Sequence, residues 1–160
     1  MQVSATLRPV CTDDKEFLFA AFCNERAHNF ELLSATRDQK EQLLRMQYEA
    51  QQRGYRGQFP DANFDVVLID GVPAGNLFAQ RGPDDFTLID IALLPEHRNR
   101  GIATKLIQDL IADACAAGRV LRAHVQKDNP ARYLWQRLGF RIVGDDGVYL
   151  ELEIPPDYST

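Results

Sequence analysis

Apolar residues recur at helical spacing in the first third of the chain and then, from Phe64 onward, in short β-type runs. Residues 3–8 read as a short strand. Asp13 and Glu16 have the spacing of an N-cap and its reciprocal partner, and the helix they open carries Phe17, Leu18, Ala21 and Phe22 on one face. A second helix is expected to begin near Thr36, with Gln39 as its box residue. It carries Leu43, Leu44, Met46 and Tyr48 and is expected to fade by Gly54. Residues 53–59 mix aromatics and arginines without a period and read as loop.

Phe64 to Ile69 is rich in β-formers, and Asp70-Gly71 is a hairpin signal. Residues 72–80 return as the partner strand, with Pro73 near its start, where a missing N–H is tolerated. Gly82-Pro83-Asp84-Asp85 turns the chain again, and residues 86–94 form a third strand, apolar at nearly every position, as expected of a strand covered on both faces. A polar, basic loop follows Pro95. The helix expected over residues 101–117 places Ile102, Leu106, Leu110, Ile111, Ala114 and Cys115 at helical spacing, and Gly118 stops it. Residues 120–125 are a strand, Asn129-Pro130 opens a short helix ending at Leu138-Gly139, and residues 140–143 and 147–154 close the chain as a strand pair. Strand, helices, antiparallel strands, helix, strand, helix, strands is the order of an α/β sandwich with a mixed sheet, in a single domain over residues 1–160.

Composition narrows the function classes. At 160 residues, 45% hydrophobic and 26% charged, the chain is expected to be globular. No apolar run approaches the ~18 residues of a membrane span, and the first nine residues lack the pattern of a secretory signal. The net charge of −5 argues against a nucleic-acid binder and weakly favours a cationic substrate. Cys11, Cys23 and Cys115 form no CxxC pair, and His28, His97 and His124 are scattered, so no metal site is expected and a reducing, cytoplasmic setting is.

The most informative stretch is Leu93-Leu94-Pro95-Glu96-His97-Arg98-Asn99-Arg100-Gly101-Ile102-Ala103-Thr104. A buried strand runs through a loop into a helix N-terminus, whose unpaired N–H groups and partial positive charge favour anions. Gly101 lets an anion approach the backbone closely, Ala103 is the next smallest residue, and Arg98, Arg100 and Lys105 add positive charge. The residues alone describe a phosphate or other anion site.

Arg98-x-x-Gly101-x-Ala103 resembles the signature of the GNAT N-acetyltransferase superfamily, which holds the pyrophosphate of acetyl-CoA. Leu94-Pro95-Glu96, the helix after the loop, Asn129-Pro130-Ala131 with Leu138-Gly139-Phe140, and Asp70 to Gly75 extend the likeness over residues 63–143. The resemblance implies a GNAT-like sandwich of mixed, mostly antiparallel sheet flanked by helices, with splayed central strands. It implies acetyl-CoA as co-substrate and an amine or peptide acceptor. Leu93 and Leu94 would offer backbone groups to the pantetheine amides, and Arg98, Asn99, Arg100, Gly101, Ile102, Ala103 and Thr104 would hold the diphosphate. Asn129 would touch the coenzyme as well as cap its helix. Strand 120–125 would splay from strand 86–94, opening a notch for the thioester, and an N–H near Leu93 would stabilise the developing oxyanion. Many relatives dimerise, so a homodimer through the last strands is an option.

Acetyl transfer to an amine needs a neutral amine, its correct placement and a stabilised thiolate. Asp90 is the one charged residue in an otherwise apolar central strand. It is a candidate base, directly or through water, or a clamp on a cationic acceptor. The other reading is a structural partner, for example of Arg122. The thiolate acid is where the chain departs from the family: relatives often carry Tyr where this chain has Trp135, and an indole N–H is no acid near neutral pH. Trp135 then positions the sulfur or is a core aromatic. Tyr149, on the face it shares with Glu151 and Glu153, is another donor; the remaining reading is an acyl-CoA-binding module with weak or no turnover. Tyr133 is expected to face elsewhere. His97 either leans on the coenzyme phosphates or is an exposed loop residue. Glu25, His28 and Glu31 lie where relatives shape the acceptor pocket.

Overall fold

The computed structural model describes the backbone of residues 4–31 and 34–157 and the side chains of residues 4–26 and 34–157. The side chains of His28 and Glu31, expected near the acceptor, lie outside the described residues. Strand β1 (Ala5–Pro9) leads through a 3-10 turn at Thr12–Asp14 into α1 (Lys15–Glu31), and α2 (Arg37–Gln58) follows. Then come β2 (Asn63–Ile69), β3 (Val72–Arg81), β4 (Asp85–Leu93), a 3-10 turn at Pro95–His97, α3 (Ile102–Ala116), β5 (Val120–Gln126), α4 (Ala131–Leu138), β6 (Arg141–Asp145) and β7 (Tyr149–Ile154).

Local chemistry explains most boundaries. Thr36 and Gln39 form the expected reciprocal cap of α2, at 3.1 and 3.0 Å. The Asp13–Glu16 pair does not open α1. The chain enters through the 3-10 turn, so the reciprocal acceptor falls at Asp14, whose Oδ2 takes the Cys11 N–H at 2.8 Å. Both Asp14 oxygens also accept from the Arg8 guanidinium, and Glu16 faces Arg45 of α2 instead. Residues 53–58 are helix rather than loop. Tyr55 packs edge-on against Phe78 and Arg56 lies 3.8 Å over the Phe64 ring, so tertiary contacts carry α2 past Gly54 and Gly57. Asp70 and Gly71, at φ +52° and +79°, make the tight turn between β2 and β3.

The strands are ordered β1-β2-β3-β4-β5-β7-β6, antiparallel except for the parallel β4–β5 pair. One face, with Leu77, Leu88, Leu121, Ala123, Leu150 and Leu152, packs against α3 and α4 in the main core. The other face receives α1 over β3 and β4 and α2 over Phe78 of β3 and Phe64 of β2, and these two helices share a smaller core of Leu18, Phe19, Phe22 and Tyr48.

The feature that positions the site is a break in the sheet. Phe78 pairs with Asp90 but Ala79 pairs with Leu88, leaving Ile89 as a β-bulge in β4. Bulges bend and twist the strand that carries them. Pairing of β4 with β5 runs from Asp85↔Val120 to Leu88↔Ala123 and stops there, although β4 continues to Leu93 and β5 to Gln126. The two central strands therefore splay, as the resemblance implies.

Candidate active site

The notch has β4 as one wall. Leu94 N–H bonds to the Ala74 carbonyl at 2.8 Å, toward β3. Backbone groups alternate sides along a strand, so those of Leu93 and Ile91 turn toward β5, where no strand partner meets them. The Leu94 carbonyl accepts from His97 N–H at 2.9 Å. Leu93 remains directed to the notch, with its carbonyl already holding Arg98 Nε at 2.9 Å. A carbonyl has two lone pairs, so that oxygen keeps acceptor capacity.

The loop then delivers the chain to α3. Asn99 and Gly101 both take left-handed backbone, φ +61° and +77°, on either side of the exposed Arg100. Helix α2 satisfies its first turn with a side-chain cap, whereas α3 begins at Gly101 with no side-chain cap and no acid in its first turn. The N–H groups of Ile102, Ala103 and Thr104 thus lack intrahelical acceptors. A Cβ built on Gly101 meets nothing within 4 Å, so the approach is open. Two buried polar atoms without partners flank the notch in sequence: His97 Nδ1 just after β4, and Arg132 Nε in α4 just after β5. An uncapped helix end, an unpartnered strand edge and orphaned nitrogens fit an elongated ligand bearing phosphates and amides. Asn129 Oδ1 accepts the Ala131 N–H at 2.9 Å, one residue ahead of the helix boundary expected of it.

Asp90 projects from β4 to the α1–α2 side. Its partner is Asn76 of β3, whose Nδ2 donates to Oδ2 at 2.9 Å, and not Arg122, which binds Asp85 at 2.8 Å and Glu153. Arg122 sits level with Thr87, before the bulge, so the splay carries Asp90 away from it. Burial pushes the Asp90 carboxyl above its ordinary range; the Asn76 hydrogen bond and the Arg26 charge pull the other way. Glu25 of α1 lines the same narrow cleft, with Phe22, Asn76 and Gln51. More than a third of its side-chain surface is open. Even so, burial on the cleft side, followed by the Asp90 charge, pushes its carboxyl up to about 7. Tyr55 feels the same cleft: burial and then the Asp90 charge raise it far above an ordinary phenol.

The remaining candidates separate clearly. Trp135 is 6% exposed and lies inside the main core beside Phe140, ring centroids 5.9 Å apart. Tyr149, 45% exposed, opens β7 opposite Gln126 of β5. Tyr133 is 55% exposed on α4 beneath the Arg132 guanidinium. His124 is exposed and faces Glu151 at 3.2 Å. Sequence reasoning missed Asn76, Tyr55 and Arg26. Asn76 was visible as a polar residue within the apolar run of β3, whereas Tyr55 lay in the stretch read as loop. Among the described residues no group of three or more His, Cys, Asp and Glu side chains could hold a metal ion, and no helix is long and apolar enough to cross a membrane.

This is the architecture of the GNAT acetyltransferases. The model of the acetyltransferase (GNAT) family matches residues 18–140, and the chain belongs to that family. No curated protein matches it in sequence. Solved structures with the same fold include the PaiA N-acetyltransferase from Thermoplasma acidophilum in complex with coenzyme A, at 17% identity and TM-score 0.68 over 95% of this chain and 99% of that one. An acetyltransferase from Thermus thermophilus aligns at 24% identity and TM-score 0.66, covering 97% and 99%. A histone acetyltransferase HPA2 and related acetyltransferase from Corynebacterium glutamicum aligns at 22% and 0.66, covering 98% and 99%.

Proposed function

We propose that this chain transfers the acetyl group of acetyl-CoA to a primary amine by direct attack within a ternary complex. The observation that carries the reading is the open edge of β4 beyond Leu88, which ends in the uncapped start of α3 and has Asp90 beside it. The diphosphate would sit on the amides of Ile102, Ala103 and Thr104, with Arg98, Asn99, Arg100 and Gly101 shaping the loop around it. Ile91 and Leu93 would pair with the pantetheine amides as a neighbouring strand does, and Asn129 would flank it. The Leu93 N–H would then face the thioester oxygen as charge develops there.

Asp90 takes the ammonium proton, directly or through water. A raised carboxyl is suited to this, because a base titrating nearer neutrality accepts a proton more readily. The freed amine attacks the carbonyl carbon, the N–C bond forms, the C–S bond breaks, and the sulfur leaves as thiolate. Tyr149 would donate a proton to it. Trp135, inside the core, supports the wall instead.

Incubation with acetyl-CoA and a panel of amines, read by free-thiol release and by mass spectrometry of the products, tests the reading. It expects an N-acetylated product and turnover lowered ~10²-fold or more in D90N, with coenzyme affinity retained. Trp135, in place of an acid, also supports a second reading: an acyl-CoA-binding module with little turnover. Coenzyme affinity without thiol release from any amine would favour that one.

A further inference from the structure

We propose that Glu25 is a positioning residue that shares one proton with Asp90 and fits the site to an acceptor arriving as an alkylammonium ion. The proposal deepens the acetyl-transfer reading and rests on it. Glu25 comes from α1 and Asp90 from β4, yet both line one cleft beside Asn76. The space a water's centre can occupy there is about 10 Å³, roughly the room of one water molecule. Two carboxylates confined in this way cannot both ionise cheaply, so the pair keeps one proton and one negative charge near neutrality.

The surrounding groups do not dissolve the pair into ordinary ion pairs. Among the described residues no cation lies within ion-pair distance of Asp90, and the nearest to Glu25 is Arg26 Nη1 at 3.9 Å from Oε2. Arg26 is itself drawn over the Phe22 ring, at 3.8 Å. Arg98 acts on Glu25 from the loop after β4. From α2, Tyr48 lines the cleft and Tyr55 feels both carboxylates; Tyr149 of β7 acts on Tyr55. The charged set is thus two acids against two guanidinium groups held at a distance, with three phenols.

An alkylammonium matches that deficit. It supplies a compact cation where the pair holds net negative charge, and the pair supplies the proton acceptor the ammonium needs. Two protons leave the nitrogen during transfer. One goes to the Asp90–Glu25 pair, directly or across one water, before attack; the other leaves the nitrogen as the C–S bond breaks and, through solvent, restores the Tyr149 phenol that has protonated the departing sulfur. The pair then returns its proton to solvent. A weakly basic amine, such as an arylamine, arrives neutral and gains nothing from the second carboxylate.

The test is the pH profile of kcat/KM for wild type, D90N, E25Q and E25D, each with an alkylamine and an arylamine, with thermal melting as a control on folding. With the alkylamine, E25Q is expected to move the acid limb about one pH unit higher, because Asp90 loses the shared proton that stabilises the singly charged pair, and to raise KM roughly tenfold. The arylamine KM should change less than about threefold, and E25D should restore the limb. An acid limb unmoved in E25Q, or equal KM changes for both amines, would overturn the role of Glu25 while D90N still tests the acetyl-transfer reading by itself. If D90N retains full activity, or no amine is acetylated although acetyl-CoA binds, the reading beneath fails and this proposal with it.

Discussion

Arg98 and Leu93 are joined by a hydrogen bond that folds the loop after β4 back onto the strand it leaves: Arg98 Nε donates to the Leu93 carbonyl at 2.9 Å. The guanidinium has five donors in a fixed fork, so this bond uses one and leaves the Nη groups for another partner. A single residue thereby links the strand edge, the approach to α3 and, through its charge, Glu25 of the cleft beside Asp90. Replacing Arg98 by Ala removes the bond and the charge together. The expected result is a loss of acetyl-CoA affinity of roughly ten- to a hundredfold, the worth of a charge-assisted hydrogen bond. Titration calorimetry measures it, and unchanged affinity would remove Arg98 from the coenzyme site.

Gly101 allows a cleaner separation of stability from binding. Its backbone is left-handed, and a Cβ there meets nothing within 4 Å. G101A therefore brings backbone strain of about 1 kcal/mol but no steric clash within the chain. A modest fall in melting temperature is expected, with a larger loss of acetyl-CoA affinity, because the methyl group occupies the approach to the first-turn amides. A variant that melts earlier yet binds as wild type would place the diphosphate elsewhere.

The contrast between these two residues and Asp90 shows what the amino-acid order reveals. The loop from Arg98 to Thr104 is legible because its chemistry is local: a glycine, two arginines and a helix start are adjacent along the chain. The hairpin at Asp70-Gly71 and the cap at Thr36 are legible for the same reason. Asp90 stood out as a charge in an apolar strand, but its partner could not be read, because the bulge at Ile89 decides which neighbour it meets. Arg122 was a reasonable guess for a regular sheet and wrong for a splayed one. Glu25 was noticed only by position, since its meeting with Asp90 depends on how α1 crosses the sheet. The last turn of α2 was lost because Tyr55 and Arg56 are held by Phe78 and Phe64, contacts that no local pattern encodes.

Trp135 and Tyr149 should respond to substitution in opposite ways. Trp135 fills the core between α4 and the sheet, so W135A is expected to lose about 3–5 kcal/mol of stability. W135F, which keeps most of the volume, is expected to fold and to retain kcat within a few-fold. Y149F changes nothing buried and should leave the melting temperature within about 1 °C. If the phenol protonates the leaving sulfur, its kcat falls about 10²-fold or more, with coenzyme affinity unchanged. A W135F enzyme that folds normally but loses its chemistry would return the indole to the reacting atoms.

Asp14 and Glu25 make contrasting pH predictions because their titrations move in opposite directions. The Arg8 hydrogen bonds hold the Asp14 carboxyl well below its ordinary value of 3.8, despite the opposing effect of burial. Between those limits the unfolded chain binds more protons than the folded one, so stability rises with pH. The Asp14 contribution is fully present above about pH 4 and is lost as pH falls further. D14N should therefore unfold at lower urea than wild type at pH 7, with the difference shrinking by pH 3. Glu25 is raised from 4.5 to about 7 in the fold, so its contribution is present below pH 4.5 and lost as pH rises through about 7. The stability of E25Q relative to wild type should accordingly grow between pH 4 and pH 8. Urea midpoints for the three proteins at pH 3, 4, 7 and 8 measure both trends. A D14N difference that does not shrink toward pH 3 would show that the Arg8 pair does not hold the Asp14 carboxyl down in the fold. An E25Q advantage independent of pH would show that Glu25 gains stability from substitution by packing rather than by relief of its buried charge.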